Sequence, residues 1–245
     1  MNKGLKPETE FDYIIIGAGA AGCVLASEII KDGRFSVCLI EGGRKDTSRW
    51  IHIPATMFKT LNTQDASRVI SEPDATLDDR NFVVPQGTVL GGGSSINGMI
   101  YMRGQAKDYN DWETNHGCTG WSYKDVLPIF INQEKNTRLA KPFHGQDGPL
   151  RVSDPEYKHP INSAIIESAL QAGLSPNEDF NGSNQEGTGW YQVTAHKGKR
   201  YSAATSFLKP QLSSKQLTLL TNTKAHNILV SNHKAIEVAI SNQFG

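Results

Sequence analysis

The feature that most constrains this chain is a run of small residues, Gly17-Ala18-Gly19-Ala20-Ala21-Gly22, set between an apolar stretch and a helix-compatible one. Phe11 to Ile16 reads as a short strand of the kind buried on both faces in a parallel sheet. Ala20 to Lys31 continues as a helix that ends near Asp32-Gly33. Strand, tight turn and helix in this order give GxGxxG the context it needs to mean dinucleotide binding. In such a turn Gly17 permits the sharp reversal, Gly19 lets backbone approach a pyrophosphate, and Gly22 lets the helix pack closely on the strand. The first amides of the helix and the positive end of its dipole then suit an anion. Ser36 to Ile40 reads as the next parallel strand, and Glu41 closes it 19 residues after Gly22, a spacing that suits an acid accepting both ribose hydroxyls. A carboxylate at that point repels a 2′-phosphate. FAD and NAD both remain open on this motif.

A second glycine-dense stretch runs from Pro85 to Gly104 and carries Gly91-Gly92-Gly93-Ser94-Ser95-Ile96-Asn97-Gly98-Met99. Apolar residues flank it, which a flexible linker would not have. Consecutive glycines let backbone amides line a concave anion site, and Ser94, Ser95 and Asn97 add polar groups for a second face of a long ligand. At these residues the chain resembles the glucose-methanol-choline (GMC) oxidoreductase family, and especially its choline dehydrogenase-like members. Family-like stretches recur at Trp50-Ile51-His52-Ile53-Pro54, Phe143 to Leu150, Asp179 to Gly182, Gln185 to Gly189 and Arg200 to Ala204.

The resemblance implies an α/β chain: a Rossmann-like FAD-binding domain with a partial α+β substrate-binding domain. It implies a first FAD-binding part over 1–150, a piece of the substrate-binding domain over 151–196, and a return to the FAD-binding domain over 197–245. By it, FAD would be held by Gly17, Gly19, Gly22 and Glu41, by Val89 through its backbone, and by Gly91, Gly92, Ser95, Asn97, Gly98 and Met99. Ala225 would touch the adenine through its backbone. Some members link the flavin covalently through a histidine that corresponds to Ile96 here, so the resemblance implies non-covalent FAD. The implied activity is hydride transfer from the CH-OH carbon of a choline-like or other primary alcohol to flavin N5. Members are longer chains, and the His-His or His-Asn pair that handles the substrate hydroxyl would lie beyond Gln243-Phe244-Gly245. The chain therefore reads as an amino-terminal portion without a catalytic residue, inactive alone, whose missing carboxy-terminal half is a candidate partner. An NAD-dependent dehydrogenase and a non-catalytic FAD-binding remnant are the alternatives.

Composition narrows the partners. Twenty-five basic side chains balance 25 acidic ones, so no net charge draws the chain to nucleic acid or anionic lipid. Cys23, Cys38 and Cys118 are an odd, scattered set without CxxC spacing, which argues against a disulfide framework or structural zinc. No stretch reaches membrane-span length, and the polar first ten residues lack a signal-peptide core, so the expected location is cytoplasmic. The seven histidines form no HxxxH pair, no metal site is expected, and His144 reads as part of a structural turn.

Downstream, Ser122 to Asp125 suggests a capping box opening a helix. Pro149 to Val152 reads as a strand and Pro160 to Ala172 as a helix whose face of Ile161, Ala164, Ile165, Ser168, Ala169 and Ala172 contacts a core. Trp190 to Val193, Gln216 to Thr221, Ala225 to Val230 and Ala235 to Ile240 read as strands.

Overall fold

The computed structural model of the chain describes residues 9–242. Residues 1–8 of the polar opening stretch and Gln243-Phe244-Gly245 lie outside the described residues. In chain order come β1 (Tyr13–Ile16), α1 (Ala20–Lys31), β2 (Val37–Ile40), the single turns α2 (Arg49–His52) and α3 (Met57–Thr60), then β3 (Ala66–Ile70) and β4 (Val83–Gly87). Next are α4 (Ala106–His116), α5 (Tyr123–Gln133), β5 (Glu134–Asn136), β6 (Leu150–Val152), α6 (Pro160–Gln171), β7 (Ala195–His196) and β8 (Lys199–Arg200). A π-helical turn, Ala204–Leu208, leads to β9 (Leu217–Leu220), β10 (Thr223–Ser231) and β11 (Lys234–Asn242).

These elements form two compact units, one of residues 9–98 with 202–242 and the other Met99–Tyr201. The packing boundaries fall after 98 and 201, whereas the cofactor and substrate division expected from the sequence falls after 150 and 196. The first division follows contacts and the second follows ligands, so they need not coincide.

In the first unit a parallel sheet has the order β1-β2-β9, with Tyr13 to Ile16 in register with Val37 to Ile40, and these with Leu217 to Leu220. The central strand β2 is buried throughout, as an apolar run between two parallel neighbours must be. The expectation that the first strand is buried on both faces fails: only Ile15 is buried in β1, while Tyr13, Ile14 and Ile16 are exposed. The reason is position, since β1 is an edge strand among the described residues. Helix α1 buries Gly22, Cys23, Ala26, Ser27 and Ile30, a stripe at helical spacing whose small members permit close approach. It ends where Gly33, at φ +74°, donates its amide to the Ile30 carbonyl at 2.9 Å. On the sheet's other face Cys38, Ile40 and Leu220 form a cluster joined by Phe11 and by Val238 of the β10-β11 hairpin.

In the second unit α4 carries the capping box: the Gln105 amide donates to the Asp108 carboxylate at 2.7 Å, and the helix ends at Gly117 with φ +70°. At the box expected from the sequence, the Ser122 hydroxyl instead pairs with the Asp125 carboxylate, although α5 does begin there. Tyr109 of α4 meets Phe130 of α5 edge-on and Tyr123 of α5 at a tilt, which joins the two helices, and packs edge-on against Trp112 of its own helix. Helix α6 forms as expected, but no residue on it is buried. Its apolar stripe is therefore not a core face in this chain: helical spacing identifies an amphipathic helix, not what covers it. Trp190 to Val193 is not a strand either; Val193 makes isolated bridges to Ile100 and Ser153. No helix among the described residues is long and apolar enough to cross a membrane.

Candidate cofactor site

The first glycine run is built by contacts that side chains would prevent. Gly17, at φ +93°, donates its amide to the Ile40 carbonyl at 2.7 Å, which ties the turn to the end of β2. A Cβ on Gly22 would lie 2.0 Å from the Gly17 carbonyl oxygen, so only glycine lets α1 close on the turn. Gly19 differs: nothing lies within 4 Å of where its Cβ would be. It is the N-cap of α1 and contributes no side-chain cap, so no N-cap side chain satisfies the first-turn amides at the positive end of the helix dipole.

Glu41 closes this arrangement. Its buried carboxylate accepts the Ala18 amide on Oε2 and the Gly43 amide on Oε1, each at 2.8 Å. One lone pair per oxygen remains, so the group is oriented by the protein and can still accept hydroxyls. The Thr223 amide donates to the Glu41 carbonyl at 2.9 Å and the Asn222 amide to the Gly43 carbonyl at 2.8 Å. The start of β10, and with it Ala225 in register with Ile240, is thereby held at the end of β2.

The second glycine run packs directly on the first. Gly91 donates its amide to the Ala18 carbonyl at 2.7 Å, and a Cβ on Gly92 would fall 2.8 Å from Gly19 Cα. Both adopt left-handed backbone, at φ +88° and +52°. Val89 is fully buried with Ile51 and Ile96, bridges Arg44, and accepts the Gly92 amide at 2.7 Å, so it anchors the base of the loop. The buried Ser95 hydroxyl donates to the Leu90 carbonyl at 2.7 Å, which leaves its oxygen only an acceptor role toward a ligand. Asn97 and Gly98 are exposed just past the 3-10 turn Gly92–Ser95, where the Asn97 amide donates to the Gly93 carbonyl at 2.9 Å. Met99 belongs to the other compact unit; it is buried at φ +64°, and its carbonyl accepts the Thr194 amide at 2.8 Å. The other candidate residues all lie in the first unit.

Two contributors escaped the sequence reading. A Cβ on Gly43 would sit 1.9 Å from the Thr88 carbonyl oxygen, and one on Gly87 would sit 2.3 Å from the Gly92 carbonyl carbon. Gly43 lies just past Glu41 and Gly87 inside the second glycine-dense stretch, but a glycine needed for close approach looks the same in sequence as any turn glycine.

The second unit holds a separate buried polar cluster. His144 is buried, with Nδ1 2.9 Å from Glu134 Oε1 and Nε2 3.0 Å from Asp179 Oδ1. Arg103 donates to the Phe143 carbonyl at 2.7 Å and to Glu134 Oε2 at 2.8 Å. Burial alone would lower the His144 pKa, but its hydrogen bonds to Asp179 and Glu134, with their charges, raise it to about 9. Burial pushes both carboxyls upward, but the bonds to His144, with those from Asn136 and Gly145 to Glu134 and from Asn181 to Asp179, hold them below the usual carboxylate range. With both ring nitrogens engaged, this histidine ties the turn to its neighbours. Among the described residues no group of three His, Cys, Asp or Glu side chains could hold a metal ion.

A parallel sheet whose first strand-turn-helix leaves uncapped amides beside an oriented acid defines the first unit as a dinucleotide-binding α/β unit. The sequence pattern of the GMC oxidoreductase family matches residues 11–245, and the chain belongs to that family. It is 39% identical over 231 residues to an alcohol dehydrogenase [acceptor] of Pseudomonas putida, covering 94% of this chain and 42% of that protein. It is 40% identical over 230 residues, with the same coverage, to an oxygen-dependent choline dehydrogenase of Rhizobium etli. The fold is similar to pyridoxine 4-oxidase from "Mesorbium loti", with TM-score 0.92 and 27% identity over 96% of this chain and 47% of that one. An FAD-dependent oxidoreductase from Chaetomium thermophilum gives TM-score 0.88 and 28% identity. The chain thus spans less than half the length of these relatives, at their amino-terminal part.

Proposed function

We propose that this chain is the FAD-binding, amino-terminal portion of an oxidoreductase acting on the CH-OH group of a choline-like or other primary alcohol. The observation that carries this reading is the contact of Gly92 with Gly19, which sets the second glycine loop against the uncapped start of α1. The first-turn amides of α1 would take the diphosphate, Glu41 the ribose hydroxyls and the backbone near Ala225 the adenine. The loop from Val89 through Met99 would follow the cofactor toward its flavin end. Bound FAD supplies the hydride acceptor, flavin N5. What the residues of this chain contribute is grip and orientation; none of them is assigned a catalytic role.

Ile96 is buried with Ile51 and Val89 and offers no nucleophile, which supports non-covalent FAD. The cofactor portion is read as 1–150 and 197–245 and the substrate portion as 151–196, with the alcohol, the carboxy-terminal half and a cytoplasmic setting completing the proposal. Titration of the purified chain with FAD, followed by quenching of flavin fluorescence, tests it. Saturable uptake is expected, with at least a tenfold loss for Gly92→Val. Acid precipitation is expected to release the yellow chromophore from the protein. The isolated chain is expected to show no alcohol turnover. If neither this chain nor one completed with the rest of a relative took up FAD, the reading would be wrong.

A further inference from the structure

In the first unit the turn that carries Glu41 and the base of the second glycine loop both meet a third stretch of chain, Thr63 to Ala66, which no motif marks. The turn after β2, Glu41-Gly42-Gly43-Arg44, contains two glycines, so its course depends on what holds its ends. At one end the Glu41 carboxylate accepts the Ala18 and Gly43 amides. At the other, Arg44 makes a two-point ion pair: Nε donates to Asp65 Oδ1 at 2.7 Å and Nη2 to Asp65 Oδ2 at 3.0 Å. The Asp65 side chain is fully buried, while Arg44 keeps 41% of its side chain exposed. Such a fork fixes direction as well as distance. Both partners also hold the loop through their backbones. The Asp65 carbonyl accepts the Thr88 amide at 2.9 Å, and the Arg44 carbonyl accepts the Leu90 amide at 3.0 Å.

A loop tied only where the Gly91 amide meets the Ala18 carbonyl can turn about that tie, and Leu90 on Arg44 supplies the second point that stops it. Apolar packing does not replace this link. The cluster of Ile51, Val89 and Ile96 reaches Leu61 and Ala66, but no residue from 41 to 44 belongs to it. A buried carboxylate requires a partner of good geometry, so Asp65 holds Arg44 where it stands. We infer that Arg44 and Asp65 are positioning residues for the cofactor, setting the ribose turn and the glycine loop at the separation that one extended dinucleotide spans. The inference rests on the FAD reading above and deepens it. Neither side chain needs to touch FAD: the pair acts through the turn that presents Glu41 and through the loop that follows Leu90. A ligand that spans both parts therefore depends on it more than a ligand that fills one.

The test compares this chain with its Asp65→Asn and Arg44→Met variants, using FAD and ADP as probes in titration calorimetry. ADP fills only the half formed by α1 and Glu41, whose groups keep their own bonds, while FAD spans that half and the loop. Each substitution should weaken FAD at least tenfold and ADP less than threefold. Without ligand, residue-resolved amide exchange in Asp65→Asn should quicken at least tenfold at Thr88 and Leu90 and stay unchanged at Val37, whose amide donates to the Gln216 carbonyl. Should Arg44→Met unfold because it strands a buried carboxylate, Asp65→Asn decides, since the freed arginine is partly exposed and can be hydrated. Equal losses for FAD and ADP, full retention of FAD affinity, or unchanged exchange at Leu90 would each overturn the inference. A parent chain that takes up neither probe, with the exchange shift at Leu90 as expected, would instead overturn the cofactor reading and, with it, the role assigned to the pair, leaving only the junction itself.

Discussion

Raising the pH from 6.5 to 9 should weaken the second compact unit, and His144 is the reason. Its folded pKa of about 9 stands above the ordinary 6.5 because Asp179 and Glu134 hold the charged ring. A group whose pKa is raised by folding contributes its full stabilisation below the unfolded value and loses it as pH rises through the folded one. The interval from 6.5 to about 9 corresponds to at most about 3 kcal/mol, lost at a slope approaching 1.4 kcal/mol per pH unit. Glu134 and Asp179, both lowered, limit the other side: their contribution is lost as pH falls into and below the carboxylate range. The most stable window therefore ends near pH 6.5 on its alkaline side. Urea unfolding followed by tryptophan fluorescence reads this unit well, since Trp112, Trp121 and Trp190 lie in it and only Trp50 lies in the other. His144→Gln should unfold at lower urea at pH 6 and lose the slope between 6.5 and 9. If the variant kept the same alkaline slope as the parent chain, the charged-histidine account would be refuted.

Three further outcomes follow from the geometry. Gly22→Ala puts a Cβ 2.0 Å from a backbone oxygen that cannot move without the turn, so the first unit should lose at least about 2 kcal/mol by urea unfolding. Glu41→Ala removes the acceptor of two amides, at about 1–3 kcal/mol for each one left buried and unpaired, and should also weaken FAD uptake in the fluorescence titration. Arg103→Leu leaves the buried Glu134 carboxylate without its guanidinium partner, and a thermal melt should show a loss of about 3–5 kcal/mol, confined to the second unit in residue-resolved amide exchange.

The first strand-turn-helix and the acid after it were legible because their determinants are local. GxGxxG, the helix after it and the acid closing the next strand sit within a few turns of chain, and the structure brings Gly17, Gly22 and Glu41 together as the spacing requires. The second glycine loop was legible as a loop, but its contact with the first was not. Gly92 meets Gly19 across 73 positions of sequence, and no short-range pattern encodes such a meeting. The same limit explains the misread burials. Periodicity placed an apolar stripe on α6 and an apolar run in β1, yet neither pattern carries information about which neighbour arrives to cover it.

The sequence by itself determined the elements whose hydrogen bonds close within a few residues and the glycines whose lack of a side chain shapes a turn. Tertiary structure decided which backbone faces which: that Glu41 is oriented by the amides of Ala18 and Gly43, that His144 is held between two carboxylates, and that β2 rather than β1 takes the buried place in the sheet. The physical reason is that burial and pairing belong to pairs of segments, and the distance between two segments is set only when the whole unit has packed.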